Sequence, residues 1–259
     1  SSQGLVDLQI TGGNGSRIRR ETTKVFSYQP GKSLLVMSTV VFNPPTNGLL
    51  QRVGYYNDSN GFSLQLTGSF LTFVRQSSTS LGTGGVPQAN WSEDKLDGTG
   101  PSGLTLDITK VQILWMDFEW LGSGTVRMGF VINGQFIVCH KFHHANIIGQ
   151  TYINTACLPL RYELTNVSAG AGTFTMKQIC STVLSEGGYD LRGEQRSVNI
   201  PLGSPRDLAV AGTYYPLITL RLKSSREDAI VVLSNLSFLG TTNNANYHWE
   251  IIGRGVTSG

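Results

Sequence analysis

Two carboxylates, Asp117 and Glu119, lie two residues apart in the run Trp115-Met116-Asp117-Phe118-Glu119-Trp120. On a β-strand, residues i and i+2 face the same side, so both acids are expected on one surface and Met116, Phe118 and Trp120 on the other. Paired carboxylates on a β-sandwich are the equipment of glycoside hydrolysis. Retaining hydrolysis needs two carboxyl groups about 5 Å apart across the sugar. Trp115 fills the alternate position before Asp117, so this strand lacks one of the acids. The pair reads as a surface pair neutralised by Arg127 on the neighbouring strand. Polysaccharide cleavage through Glu119 is the enzymatic alternative.

His140, His143 and His144 follow Cys139 and bring metal chemistry to mind. A zinc site wants three or four converging ligands. On a strand, His140 and His144 share a face and His143 takes the other, so no metal site is expected. Two acidic loops have the look of calcium loops: Asn57-Asp58-Ser59-Asn60-Gly61, and Glu93-Asp94 with Asp97-Gly98. Calcium needs six or more oxygens, normally with a bidentate carboxylate, and neither loop supplies the set. No nucleophile elbow, phosphate-cradling loop or dinucleotide fingerprint is present. No cofactor is expected.

The elements that must position these residues are strands. Charged residues make up 14% of the 259-residue chain, far below the usual share, and glycine, serine, threonine and asparagine take their place. That composition suits turns and exposed strand faces, and its aliphatic content excludes disorder. The net charge of +3 has no basic stripe behind it. Arg17, Arg19 and Arg20 form a short cluster that reads as a strand end or subunit contact, so no nucleic acid is expected. Cys139, Cys157 and Cys180 form no paired motif, and Cys139 and Cys180 sit in apolar surroundings as buried free thiols. No apolar run approaches 18 residues and no signal-peptide pattern occurs, so no membrane insertion is expected. The start at Ser1 rather than Met, and the glycine-rich end, read as an excerpt or a processed product.

Period-2 alternation runs through the chain. Strands are expected over residues 34–42, 50–56, 62–66 and 70–75, and again over 111–120, 125–132 and 135–142. Asn43-Pro44-Pro45 stops the first of these, because proline cannot donate to a ladder. Asn133-Gly134 between two strand-like runs is a hairpin signal, since a type I′ turn needs positive φ at both central residues. Between the two meanders lies a long polar segment, 76–102, of a length that is functional or contacts a neighbour. Further strands are expected over 196–202, 215–223, 229–239 and 247–252, with turns at 224–227 and 241–244. The expected organisation is all-β and antiparallel: one β-module over residues 1–188, then a second, smaller β-module over 189–259, with the boundary near Gly188.

Several motifs in order resemble a family of virion structural proteins of tailed bacteriophages with relatives in large DNA viruses. They are Arg52-Val53-Gly54-Tyr55-Tyr56 with Asn60-Gly61-Phe62; Phe73-Val74-Arg75-Gln76-Ser77; and Gln88-Ala89-Asn90-Trp91 running into Asp94-Lys95-Leu96-Asp97-Gly98. The run from Phe118 to Phe130 and Leu158-Pro159-Leu160-Arg161-Tyr162-Glu163 complete the set, across roughly residues 25–193. The resemblance implies a jelly roll of the concanavalin or laminin-G type and a non-enzymatic particle protein: a capsid decoration, fibre or tail appendage, located in the virion. It brings no catalytic residues.

Low charge and abundant small polar residues suit polar subunit interfaces. The expected partners are therefore further copies of the chain, as a homo-oligomer with a trimer favoured, and other virion proteins. Tyr55, Tyr56, Trp91, Tyr214, Tyr215 and Trp249 are candidate exposed anchors, while Trp115, Phe118 and Trp120 are expected in the core. The alternative reading is a lectin-like module for host-surface glycans, with the 76–102 segment and Tyr55, Tyr56, Trp91, Asp94 and Asp97 forming the contact.

Overall fold

The computed structural model describes residues 4–29, 32–186, 195–222, 231, 233–240 and 246–252. The chain divides into two compact units, Ser1–Leu191 and Arg192–Gly259.

The first unit is built from strands because its apolar residues alternate and its turns carry the residues that reverse a chain. In order these are β1 (Val6–Gly12), β2 (Arg17–Glu21), β3 (Phe26–Ser27), β4 (Leu34–Val41), β5 (Thr46–Tyr56), β6 (Gly61–Gly68) and β7 (Phe70–Gln76). They continue with β8 (Gly84–Pro87), β9 (Gln112–Phe118), β10 (Val126–Ile132), β11 (Gln135–Phe142), β12 (Cys157–Leu158), β13 (Leu160–Asn166) and β14 (Gly172–Ser185). All pairings are antiparallel. One six-stranded sheet has the order β1-β14-β4-β9-β10-β11, the other β2-β13-β5-β6-β7-β8, and β12 pairs with β3. This is an antiparallel sandwich of jelly-roll type: the alternation predicts its strands, and the motif resemblance its jelly-roll architecture.

The second expected meander is present, but the first loses its opening strand: β4 lies in the other sheet, between β14 and β9. β5 to β8 form consecutive neighbours in the second sheet, and β9 to β11 in the first. Asn133 and Gly134 adopt φ of 53° and 75°, the pair of positive values the hairpin turn requires. The core lies between the sheets, where alternate residues of both faces interleave. Phe118 of the first sheet meets Tyr55 and Phe62 of the second edge-on, at ring-centroid separations of 5.2 and 5.3 Å. Val36, Val53, Leu64, Phe73, Leu114 and Phe130 around them are fully buried.

Several expectations change. The 76–102 segment is not an unbroken loop: β8 extends the second sheet, and a short 3-10 turn over Gln88–Asn90 follows it. β1, β2, β13 and β14 appear where sequence alternation gave no clear strand. Cys139 is buried as expected, but Cys180 is exposed. It sits where the β14–β4 register shifts between Gln178 and Ser181, so the residues of the irregularity lose their place in the inward alternation. Trp115 and Phe118 are buried and Trp120 packs partly buried against the core.

In the second unit no strand is formed among the described residues, although four are expected there. Its alternating apolar side chains stay exposed, and no ladder holds the backbone. Tyr214 Oη donates to Glu250 Oε1 at 3.0 Å, and Phe238 stacks on Trp249 at 5.4 Å. The expected boundary near Gly188, the turns at 224–227 and 241–244, and parts of the expected strands at 223, 229–230 and 232 lie outside the described residues, as does the glycine-rich end.

Candidate functional site

Tyr55, Tyr56 and Trp91 are not surface anchors: each is almost fully buried. Tyr55 faces the inter-sheet core because its position in β5 matches that of Val53. Its hydroxyl lies 2.5 Å from the Phe26 carbonyl oxygen and 2.6 Å from that of Ala156, and it accepts from Leu158 N at 3.2 Å. Tyr56 points the other way and is roofed by two guanidinium groups, Arg52 and Arg161, each 5.2 Å from the ring centroid. Trp91 stacks on Phe73 at 4.3 Å, and its Nε1 donates to the Val86 carbonyl oxygen at 3.2 Å. A turn signal next to an aromatic does not tell sequence reasoning which side of the strand the ring will take. Among the second unit's candidates, Tyr214 and Trp249 are exposed and Tyr215 is half-buried.

The acidic loops are closed by partners of their own. Asp58 Oδ1 takes Arg19 at 2.6 Å and Arg161 at 2.7 Å. Asp97 Oδ1 accepts from Thr99 N at 2.9 Å and Thr99 Oγ1 at 2.6 Å. Asp94, 4% exposed, accepts from Leu96 N through Oδ1 and from Ser102 N through Oδ2, both at 2.8 Å. Burial alone would raise the Asp94 carboxyl, yet these amides hold it below its ordinary value. Asp94 is thus the clamp of its loop. Among the described residues no three metal-ligating side chains converge. His140 Nδ1 accepts from Ser92 N at 3.2 Å, His143 Nδ1 lies 3.3 Å from Thr125 Oγ1, and His144 stacks on Tyr152 at 4.0 Å.

Asp117 and Glu119 both engage Arg127, directly across the β9–β10 ladder from Asp117. One guanidinium thus ties the two acids together. Burial raises the Asp117 carboxyl, and Arg127 offsets only part of that rise.

The place where the long segment makes a concave surface is the outer edge of β11. Residues 92–94 run along that edge strand. Glu93 N and Asp94 N donate to the Cys139 carbonyl oxygen at 3.0 and 3.3 Å, and Lys141 N donates to Ser92 Oγ at 3.2 Å. The result is a shallow depression of about 360 Å³ lined by Glu93, Asp94, Pro101, Ser102, Ile137, Val138 and Lys141. Glu93 and Lys141 bridge at 3.3 Å and remain partly open to solvent, and Ile137 and Val138 are among the apolar residues of the lining. Of the five residues named for a glycan contact only Asp94 lines it, joined by Glu93, Pro101 and Ser102 of the 76–102 segment. Lys141, Ile137 and Val138 belong to a strand far along the chain, and only the fold brings them there.

A second polar surface lies on the outer face of the other sheet. Glu163, 2% exposed, receives Arg17 at 2.5 Å, Arg52 at 2.7 Å and Arg19 at 3.3 Å. Arg161 reaches Glu21 at 2.7 Å. The cluster Arg17, Arg19 and Arg20 is therefore the edge strand β2. Two of its arginines serve a buried acid.

No protein-family model and no curated protein matches the chain. Solved structures do resemble its fold. A botulinum neurotoxin DC binding domain in complex with SialylT matches with TM-score 0.37 and 10% identity, over 69% of this chain and 42% of that one. A legume lectin-like domain from Entamoeba histolytica matches with TM-score 0.42 and 9% identity, over 70% and 86%. A structure described with endo-acting O-glycanases of the human gut microbiota matches with TM-score 0.48 and 10% identity, over 70% and 79%. The chain thus spans less than half the length of the neurotoxin domain it matches. None of the three is described as a virion protein.

Proposed function

We propose that the first unit is a non-catalytic recognition module that binds a carbohydrate at the depression beside β11. One observation carries this reading: a concave surface whose lining combines Ile137 and Val138 with a partly open carboxylate–ammonium pair, Glu93 and Lys141, beside a loop clamped by Asp94. A sugar ring offers hydroxyl groups that donate and accept, and C–H faces that sit on apolar surface. A few placed polar groups within a partly apolar lining are the ordinary makings of a small-molecule site. Preorganisation by the Asp94 clamp lowers the entropy lost on binding. Asp117 on β9 and Glu119 just past its end share Arg127, which favours binding over cleavage.

A glycan array followed by calorimetry tests the reading. The expected result is a bound glycan whose affinity falls at least about tenfold in Lys141→Ala and in Glu93→Gln, a loss of roughly 1.4 kcal/mol. An array without a binder, or variants that bind as well as the parent, would sink it.

The motif resemblance across residues 25–193 favours a second, compatible reading: the module works on a virus particle, as a decoration, fibre or tail appendage that contributes to host attachment. Antibodies raised against the chain should then label purified particles, and unlabelled particles that contain the chain's gene would count against it.

A further inference from the structure

The second unit has the surface of a protein that is incomplete alone. Among the described residues, nineteen of its large apolar side chains are exposed, against nine in the much longer first unit. They are not scattered. Ile218, Leu220 and Leu222 alternate with Thr219 and Arg221, and Tyr247, Trp249 and Ile251 alternate with His248 and Glu250. That is the pattern of strands with one face meant for burial. Here those faces meet water: Leu220 is 53% exposed, Trp249 54% and Ile251 65%.

The backbone shows the same lack. Backbone-to-backbone bonds between described residues of this unit are turn bonds, Ser204 N to Pro201 O at 3.0 Å and Thr213 N to Val210 O at 3.3 Å, and none of them pairs an alternating run with another strand. At about half exposure each, the nineteen side chains leave on the order of 1,500 Å² of apolar surface per copy. That exceeds the few hundred Å² of a typical monomer's largest patch, and the roughly 800 Å² each partner contributes to a standard interface.

We infer that the second unit is a self-association element, and that its alternating runs are covered by the same runs of further copies of this chain. Two observations select a second copy as occupant. The exposed area is what a stable homomeric interface needs. The polar positions of the two runs also carry opposite charges, Arg221 between Leu220 and Leu222 and Glu250 between Trp249 and Ile251. Copies related by a symmetry axis therefore offer each run both an apolar face and a complementary charge. A lipid surface would instead have to accommodate these interleaved charges.

Sedimentation velocity of the full chain across about a hundredfold range of concentration tests the inference. A stable oligomer is expected. The triple variant Ile218→Ser, Leu220→Ser, Leu222→Ser should sediment as a monomer while the first unit keeps its near-ultraviolet aromatic signal. A parent chain that is monomeric throughout overturns the inference, and vesicle flotation of that monomer would assign the surface to lipid instead. A triple variant that remains as oligomeric as the parent also overturns it. Hydrogen exchange on the parent provides a readout that needs no variant: amides of 216–222 and 246–252 should gain protection as concentration rises, and unchanged protection would refute the assignment.

Discussion

Tyr55 and Tyr56 stand side by side at the end of β5, both almost fully buried, and their hydroxyl groups meet opposite conditions. The Tyr55 hydroxyl sits among two carbonyl oxygens and the Leu158 amide, joining β5 to the β3 and β12 segments. The Tyr56 hydroxyl is buried without a hydrogen-bond partner. Burial pushes its pKa well above the ordinary tyrosine value, because an ionised phenolate there would be poorly solvated.

Phenylalanine substitutions should separate these two conditions. Tyr55→Phe strands the Leu158 amide and is expected to cost about 1–3 kcal/mol. Tyr56→Phe removes a polar atom that has no partner, so it should be neutral or stabilising by up to about 1 kcal/mol. Urea unfolding of both variants checks the pair, and a larger loss in Tyr56→Phe would contradict the assigned geometry.

Glu163 should be a stability determinant rather than a surface acid. Glu163→Gln leaves Arg17, Arg19 and Arg52 facing one another without their shared carboxylate. The expected loss is on the order of 2–3 kcal/mol, less than for a fully buried pair because Arg17 reaches water. Thermal unfolding at neutral pH measures it.

Acid should reveal the same network. Burial alone would raise the Glu163 carboxyl, but Arg52 and Arg17 outweigh it and hold it below the ordinary 4.5. Burial likewise opposes the lowering of Asp58 by Arg161 and Arg19, and here too the arginines win. A carboxylate depressed in the folded state adds stability above its unfolded value and loses it as pH falls through its folded value. The melting temperature should therefore hold steady from neutral pH down to about 5, then fall as pH drops below 4.5. The fall should be shallower in Glu163→Gln, and identical slopes in parent and variant would refute the network's role.

Asp94 links the loop to binding. In Asp94→Ala the Leu96 and Ser102 amides lose their acceptor, and residues 95–103 should exchange amide hydrogens faster. A stability loss of about 1–3 kcal/mol is expected, with weaker binding of any glycan the parent recognises. Unchanged exchange in that loop would show that the clamp does not order it.

Gly129 is a packing constraint in the first sheet. A Cβ there would run into the Ile137 carbonyl oxygen, at the irregularity where β10 pairs with β11. The Trp115 indole donates to that same oxygen at 3.3 Å. Gly129→Ala should thus cost more than about 2 kcal/mol, seen as a lowered denaturant midpoint.

Sequence alone determined seven strands, β4 to β7 and β9 to β11, though not that β4 joins the other sheet, because period-2 alternation, Asn43-Pro44-Pro45 and Asn133-Gly134 are local signals that each residue carries with it. It also determined that Asp117, Glu119 and Arg127 belong together, since ladder pairing follows from a hairpin. Tertiary structure decided the rest. Which face of β5 holds Tyr55 and which holds Tyr56 depends on the sheet that packs there. Trp91 follows a turn in sequence but lies against Phe73 in space. Glu163 looks like one acid among many until β2 and β5 bring three arginines to it from 144, 146 and 111 residues away. The depression beside β11 joins Glu93 to Lys141 in the same way. Alternation in residues 196–252 predicted strands that the described residues there do not form. A strand's pattern is local, but the ladder and the covering face that stabilise it must come from elsewhere.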